Sequence, residues 1–329
     1  MPQYRRILAA LVLVLVVFVV PACGDDAGTG PEQRGSEPSV TTSAPPETSV
    51  PAPAFPLTLT DDDGVEVTLD AEPERIITFA PSITELVFAL GAGDRLVGVS
   101  GDYDDYPEEA KAIEQVGGAG EFGVDPNAEK VVSLEPDLFL TIKGGDAWKE
   151  QLRDLGIPIF TLNAETFDDL VGDIATLGAL LGEPAAAEAL SGDLTDEAAE
   201  ITEAFEGEPP VSCFFEVYYG PPVYTVGPNT YLADLLRMAG CDLVSGSARS
   251  DYPTWSVEKL VASSPDVYIV TDEGVASLDD VSARPGYEAI AAVSEGRVFM
   301  VSSDLVSRAG PRVVEGLRQL AEALHPDTA

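Results

Sequence analysis

Glu129-Lys130-Val131-Val132-Ser133-Leu134-Glu135-Pro136-Asp137-Leu138-Phe139-Leu140 is a phrase that the chain writes twice. Its second copy is Glu258-Lys259-Leu260-Val261-Ala262-Ser263-Ser264-Pro265-Asp266-Val267-Tyr268-Ile269. Glu, Lys, Val, Pro and Asp recur at five of the twelve positions, and the three apolar residues after Asp are conservative exchanges. Each copy reads as a short helix, a Pro-Asp turn and a buried strand. Any helix–turn–strand unit shares that outline, but the outline does not demand a matched Glu-Lys opening. A repeat on this scale predicts two similar lobes, and two lobes that face each other enclose a cleft.

The pattern on either side of the first copy alternates strands and helices. Arg75–Phe79, Arg95–Ser100, Asp137–Lys143 and Pro158–Leu162 read as strands, with helices over ITELVFALGAG and DAWKEQLRDLG between them. Around the second copy the same alternation runs through SCFFEVYY, TYLADLLRMAG, DVYIVTDE and RVFMVSS to a last helix, GPRVVEGLRQLAEAL. Such alternation predicts α/β lobes with central parallel sheets. Between them Leu170, Ile174, Leu177 and Leu181 recur at helical spacing, and Gly182-Glu183-Pro184 punctuates the run, with Pro184 suited to the first turn of a renewed helix. The expected divisions are an N-terminal lobe over 57–165, a bridging helical segment over 166–206 and a C-terminal lobe over 207–329.

The N-terminus carries an address. Arg5-Arg6 precede an apolar run of 14 residues, Ile7–Val20, which is shorter than the roughly 20 needed to span a bilayer. The run ends Val20-Pro21-Ala22-Cys23, a small residue before Cys, so residues 1–22 read as a signal peptide and Cys23 as a lipidation site. A plain signal peptide with an incidental Cys is the alternative. Residues 24–56 are rich in Gly, Ser, Thr, Pro and acids, the composition of a disordered tether. The expected protein is exported and held at the outer face of the bacterial cell membrane by a lipid. In that oxidising setting Cys213 and Cys241 can pair, and buried free thiols remain the other reading.

Composition narrows function by exclusion. The chain of 329 residues sets 57 Asp+Glu against 18 Lys+Arg, a net charge of −39. Binding nucleic acid needs a basic footprint, which is missing. From Leu57 onward 52 acids still face 15 bases, so the excess belongs to the globular part. The single His, His325, is fifth from the end, which removes His-based triads, zinc sites and haem ligation from the expected chemistry. Gly118-Ala119-Gly120-Glu121-Phe122-Gly123 matches G-x-G-x-x-G, but Asp125-Pro126 stands before the next helix, so a loop is expected rather than a dinucleotide turn.

PSITELVFALG, VGVSGDYDDYPEEAKAIEQVG, EKVVSLEPDLFL, SVEKLVASSPDVYIV and SDLVSRAGPRVVEGLRQLAEAL together resemble the substrate-binding proteins of iron-complex and vitamin B12 ABC importers, the helical-backbone metal receptor type. The resemblance spans about 75–324, and within the class SGDYDDYP and SDLVSRAGPR lie nearest to the cobalamin binders. It implies two α/β lobes bridged by a long rigid helix, with ligand in the cleft, no catalytic residue and no resident cofactor or metal. The cargo it implies is cobalamin or a related corrinoid, alternatively a ferric siderophore. The partners it implies are a permease with a basic docking surface and its ATPase.

Carried over by residue, the resemblance makes Tyr103 a cleft residue, sets Asp304 and Arg308 on the C-lobe rim, and puts Tyr252 where a cobalamin binder has an aromatic. Glu129 and Glu258 fall where the class presents one acid per lobe to the permease. A corrinoid is a flat macrocycle fringed with amides, so it calls for aromatic faces and a few polar groups, and Phe122 and Tyr218 join the candidates on that ground. Bland readings exist for each: tyrosines packing a strand end, an i,i+4 ion pair, and acids drawn to a helix dipole. The relatives carry a Trp where this chain has only Phe122, and a Trp-Pro pair where it has Tyr252-Pro253. An exported enzyme or metallochaperone, and a structural surface lipoprotein, are the competing classes.

Overall fold

Short apolar runs separated by helices of about ten residues favour parallel pairing, because a crossover must return the chain to the same end of the sheet. The computed structural model describes residues 53–101, 103–117, 125–220 and 222–326. An antiparallel hairpin opens the described chain, with β1 (Leu57–Thr60) against β2 (Glu66–Leu69). The N-lobe then runs β3 (Ile76–Phe79), α1 (Pro81–Ala89), β4 (Leu96–Gly98), α2 (Ala128–Ser133), β5 (Leu138–Thr141), α3 (Asp146–Asp154) and β6 (Ile159–Thr161). Its four strands form a parallel sheet in the order β4-β3-β5-β6. The hairpin is pinned to this sheet by fully buried Lys149, whose Nζ donates to Asp63 at 2.7 Å and to Thr161 at 3.0 Å.

Two helices in series make the bridge, α4 (Phe167–Leu181) and α5 (Pro184–Glu203), and they pack on each other. The joint follows from three residues. Gly182 takes the left-handed conformation (φ 74°), where a side chain would also collide with Glu72, and Pro184 starts the second helix. Arg95 locks the joint, donating to the Leu181 carbonyl at 2.7 Å and pairing with Glu183 at 2.9 Å. The first turn of α4 accepts a partner from beyond the bridge, since the Phe167 amide donates to Asp234 at 2.9 Å.

The C-lobe comprises β7 (Val211–Tyr218), β8 (Val223–Thr225), α6 (Tyr231–Met238), β9 (Cys241–Leu243), β10 (Thr254–Trp255), α7 (Val257–Ser263), β11 (Val267–Thr271), α8 (Leu278–Ser282), α9 (Ala291–Ser294), β12 (Val298–Val301), α10 (Ser303–Ser307) and α11 (Val313–Leu324). Strands β9, β7, β11 and β12 are parallel neighbours in that order, the arrangement of the first sheet again. The far half of β7 carries an antiparallel addition, β8 and then β10. Cys213 and Cys241 are disulfide-bonded, with Cα atoms 5.7 Å apart, joining β7 to β9.

One continuous apolar core runs from the N-lobe through the bridge into the C-lobe. Leu138 and Leu140 of β5 enter it, as do Val267 and Ile269 of β11, while Phe139 and Tyr268 point into separate cores on the outer faces. That two-residue alternation explains why both strands read as unbroken apolar runs. Equivalence extends to the backbone: Glu135 and Ser264 both have φ 47°, and they are matched positions of the repeated phrase. Lone His325 is structural, stacked on Phe205 with ring centroids 4.4 Å apart and bonded to the Ala239 carbonyl at 3.1 Å. No helix among the described residues is long and apolar enough to cross a membrane.

Candidate functional site

In open parallel sheets a ligand crevice forms beyond the carboxyl ends of the strands. Here those ends meet across the lobes. Glu85 lies one turn into α1, directly after β3, and Arg308 and Arg312 follow α10, directly after β12. Glu85 has 2 % of its surface exposed and is the only charged residue of its helix. Its carboxylate accepts from Arg308 Nη1 at 2.8 Å, and from Arg312 Nε at 2.8 Å and Nη2 at 2.7 Å. Hydrogen bonding to Glu85 holds the Arg312 guanidinium above its ordinary pKa. A carboxylate from one lobe thus binds two guanidiniums of the other between the lobes.

The N-lobe loop after β4 is set by Asp104, which is buried. Its carboxylate accepts from Thr84 Oγ1 at 2.5 Å, from the Gly101 amide at 3.0 Å and from Ser100 Oγ. That anchoring carries Asp105 to 3.5 Å from Arg308 and sets the Tyr106 ring 4.0 Å from the Arg312 guanidinium. Tyr103 stands exposed on this same loop.

On the C-lobe rim, Asp304 sits in the first turn of α10 and pairs with Arg308 at 2.5 Å. Burial pushes the Asp304 carboxyl above its ordinary pKa; Arg308 pulls against that, and Asp105 and Glu273 add to it. The expected i,i+4 pair therefore exists, but Arg308 is more than a rim residue. With a side chain 12 % exposed, it is committed to the lobe-to-lobe cluster. Tyr218 closes β7 with 63 % of its surface exposed, too much for a residue that merely packs a strand end. Its ring meets that of Tyr224 edge-on at 6.1 Å. Strand register aligns Tyr218 with Tyr224 and Tyr224 with Thr254, and exposed Tyr252 lies two residues before Thr254.

Glu129 and Glu258 are exposed and do not touch the cleft cluster. Each is the second residue of its helix, behind a capping side chain: Asn127 for α2 and Ser256 for α7. The Ser256 hydroxyl and a backbone amide hold the Glu258 carboxyl below its ordinary pKa. Phe122 and Cys23 lie outside the described residues, as do the signal segment and nearly all of the tether.

Glu85, Arg312 and Asp105 were not anticipated. A lone acid inside ITELVFALG was the available signal, because a carboxylate on a helix buried all round needs a buried cation. A separate concavity of about 460 Å³ lies between β6 and α4, walled by Asp62, Asp169, Asp173 and Lys143, and holds none of the expected ligand residues. Among the described residues no group of three or more His, Cys, Asp or Glu is placed to hold a metal ion.

This is the architecture of a two-lobed binding protein, with elements from the carboxyl ends of two equivalent sheets in contact between the lobes. Residues 76–305 match a family model described as periplasmic binding protein. An uncharacterised ABC transporter substrate-binding lipoprotein of Bacillus subtilis, YvrC, is 35% identical over 340 residues, covering 100% of this chain and 99% of that protein. A cobalamin-binding protein of Halobacterium salinarum is 33% identical over 287 residues, covering 84% and 76%. The crystal structure of the periplasmic vitamin B12 binding protein BtuF of Vibrio cholerae matches with a TM-score of 0.68 and 25% identity, over 77% of this chain and 96% of that one. The chain therefore belongs to the periplasmic binding protein family.

Proposed function

We propose that this protein is the substrate-binding lipoprotein of an ABC importer, and that it captures cobalamin or a related corrinoid between its lobes and delivers it to the permease. The observation that carries the reading is the set of exposed tyrosines at the carboxyl ends of the strands. Tyr218, Tyr224 and Tyr252 stand on one rim and Tyr103 on the loop that reaches Arg308. Exposed aromatic rings over a polar floor suit a flat macrocycle with a polar fringe. Asp304 supplies acceptors for amide groups at that fringe. The similarity to cobalamin-binding relatives supports the same cargo.

Delivery rests on Glu129 and Glu258, one exposed acid at the same place on each lobe, meeting a basic permease surface. Lipidation at Cys23, with 24–56 as tether, would keep the protein at that surface. The test titrates the purified protein with cyanocobalamin and, separately, with a panel of ferric siderophores, following intrinsic fluorescence. Tight saturable corrinoid binding is expected. Siderophore binding with corrinoid affinity no better than millimolar would replace the cargo and keep the class, whereas binding of neither would overturn the class.

A further inference from the structure

A polar cluster lies buried under the C-lobe rim. Glu216, within β7, has 2 % of its surface exposed and is the lone acid of an apolar strand. Its Oε2 accepts from the Tyr268 hydroxyl and, at 2.6 Å, from Arg284 Nη1. Arg284 is itself 7 % exposed, and its guanidinium carbon lies 3.7 Å from the centroid of the Tyr219 ring. Tyr287 meets Tyr219 edge-on, centroids 6.0 Å apart. Tyr219 is nonetheless 39 % exposed, directly after the carboxyl end of β7.

A guanidinium normally keeps its charge in water, so burying one behind an exposed ring is costly unless the arrangement is fixed by its counter-ion. Glu216 supplies that fixation. The outcome is a tyrosine whose ring is held from within by a cation and an aromatic edge, while part of its surface stays open. A ring already fixed in one orientation loses little freedom when a ligand stacks on it. A cation behind the ring also draws on its π electrons, which favours an electron-rich ring on the open side and disfavours a cationic one.

We propose that Tyr219 is a prepared stacking platform for a flat, conjugated, electron-rich ring system of the cargo, with Arg284 as the residue that positions it and Glu216 as its anchor. This rests on the reading that the cleft takes a macrocyclic metal chelate. The platform belongs to the C-lobe alone. Strand register equates Ile76 with Cys213, which places Ser82, already in α1, at the position of Tyr219.

The test measures affinity for four probes: cyanocobalamin, dicyanocobinamide, haemin and a ferric tris-hydroxamate. Tyr219→Leu is expected to weaken binding of whichever flat-ring probe the wild type takes by on the order of tenfold. Its thermal midpoint should fall only slightly, because leucine keeps an apolar cover over Arg284 and Tyr287. Tyr219→Phe is expected to bind like wild type. Arg284→Met should weaken binding as Tyr219→Leu does, the double variant should bind no worse than Tyr219→Leu, and Arg284→Lys should restore part of the loss. If Arg284→Met fails to fold, Tyr219→Leu alone decides. Undiminished flat-ring affinity in Tyr219→Leu overturns the platform and leaves the cleft reading standing. A wild type that takes only the ferric hydroxamate overturns the platform, and one that takes none of the four overturns both.

Discussion

In the N-lobe sheet β4-β3-β5-β6 and the C-lobe run β9-β7-β11-β12, four parallel strands follow the same order, and register equates Ile76 with Cys213 and Leu138 with Val267. The lobes part company where the first strand ends. In the N-lobe β3 stops after four residues and turns into α1, which brings Glu85 to the arginines of the other lobe. In the C-lobe the corresponding strand continues to Tyr218, eight residues in all, and recruits β8 and β10, which bring up Tyr224 and the stretch that follows Tyr252. The lobes share a capped helix bearing Glu129 or Glu258, which on the proposed reading serves a two-point dock, and they differ in the elements that on the same reading meet one asymmetric cargo.

The strongest break of that comparison reverses both shared acids. Glu129→Lys with Glu258→Lys is expected to abolish uptake in cells and leave cargo affinity unchanged, with each single variant intermediate. Both side chains are exposed at helix starts, so the fold should survive the change, with a small loss from placing a cation at the positive end of each helix. Uptake that survives the double reversal sinks the docking assignment.

Next in size is the tie between the lobes. Glu85→Ala leaves Arg308 and Arg312, with side chains 12% and 18% exposed, without their shared carboxylate. Removing one partner of a buried ion pair costs about 3–5 kcal/mol, because the remaining charge stays desolvated. Guanidinium unfolding should show a lowered midpoint for Glu85→Ala and a smaller loss for Glu85→Gln, which keeps hydrogen-bonding capacity. A change below about 1 kcal/mol would mean that Asp304 and Asp105 already satisfy Arg308 and that Arg312 turns out to solvent without its carboxylate.

The repeated phrase made the duplication, the parallel sheets and the two matched acids at helix starts legible, because each rests on local patterns: periodicity, a capping residue, a Pro-Asp turn. The helical bridge was equally readable from Gly182-Glu183-Pro184. What escaped was either too short or too distant. Strands β8 and β10 have three and two residues, below the length at which alternation is visible. Glu85 finds its partners 223 and 227 residues along the chain, a pairing that no local pattern encodes. Arg284 likewise meets Glu216 across 68 residues. In both cases the trace was there as a lone charge in an apolar run, Glu85 in α1 and Glu216 in β7. It signals a buried partner without saying which.

The disulfide sharpens the comparison from the other side, since the N-lobe strand carries Ile76 where β7 has Cys213. Cys213 and Cys241 are separated by 28 residues, and closing a loop of that length in the unfolded chain is worth about 3.6 kcal/mol. Cys213→Ala with Cys241→Ala should lower stability by that amount. Amide exchange should quicken in β7 and β9 first and leave β3 and β4 protected. Equal loosening of both sheets would show that the shared core, rather than the bridge, sets local stability.

The smallest effect tests the equivalence itself. Glu135 and Ser264 each follow a short helix, precede a proline and hold φ 47°, the left-handed region that costs an L-residue about 1–2 kcal/mol. Glycine relieves that cost but gives back about 0.5–1 kcal/mol through the greater freedom of the unfolded chain. Glu135→Gly and Ser264→Gly should therefore each stabilise by about 0.5–1 kcal/mol, and the sites are far enough apart in the fold for the gains to add. For a domain of this size each variant should raise the melting midpoint by about 2 °C. The Glu135 carbonyl receives Arg75 Nε at 3.1 Å, a bond that glycine retains because it is made by the backbone. Matched gains would mark the turn as one inherited backbone solution kept in both lobes. A gain at Ser264 with a loss at Glu135 would instead assign the Glu135 side chain a local role, and the two turns would be alike in shape but not in cause.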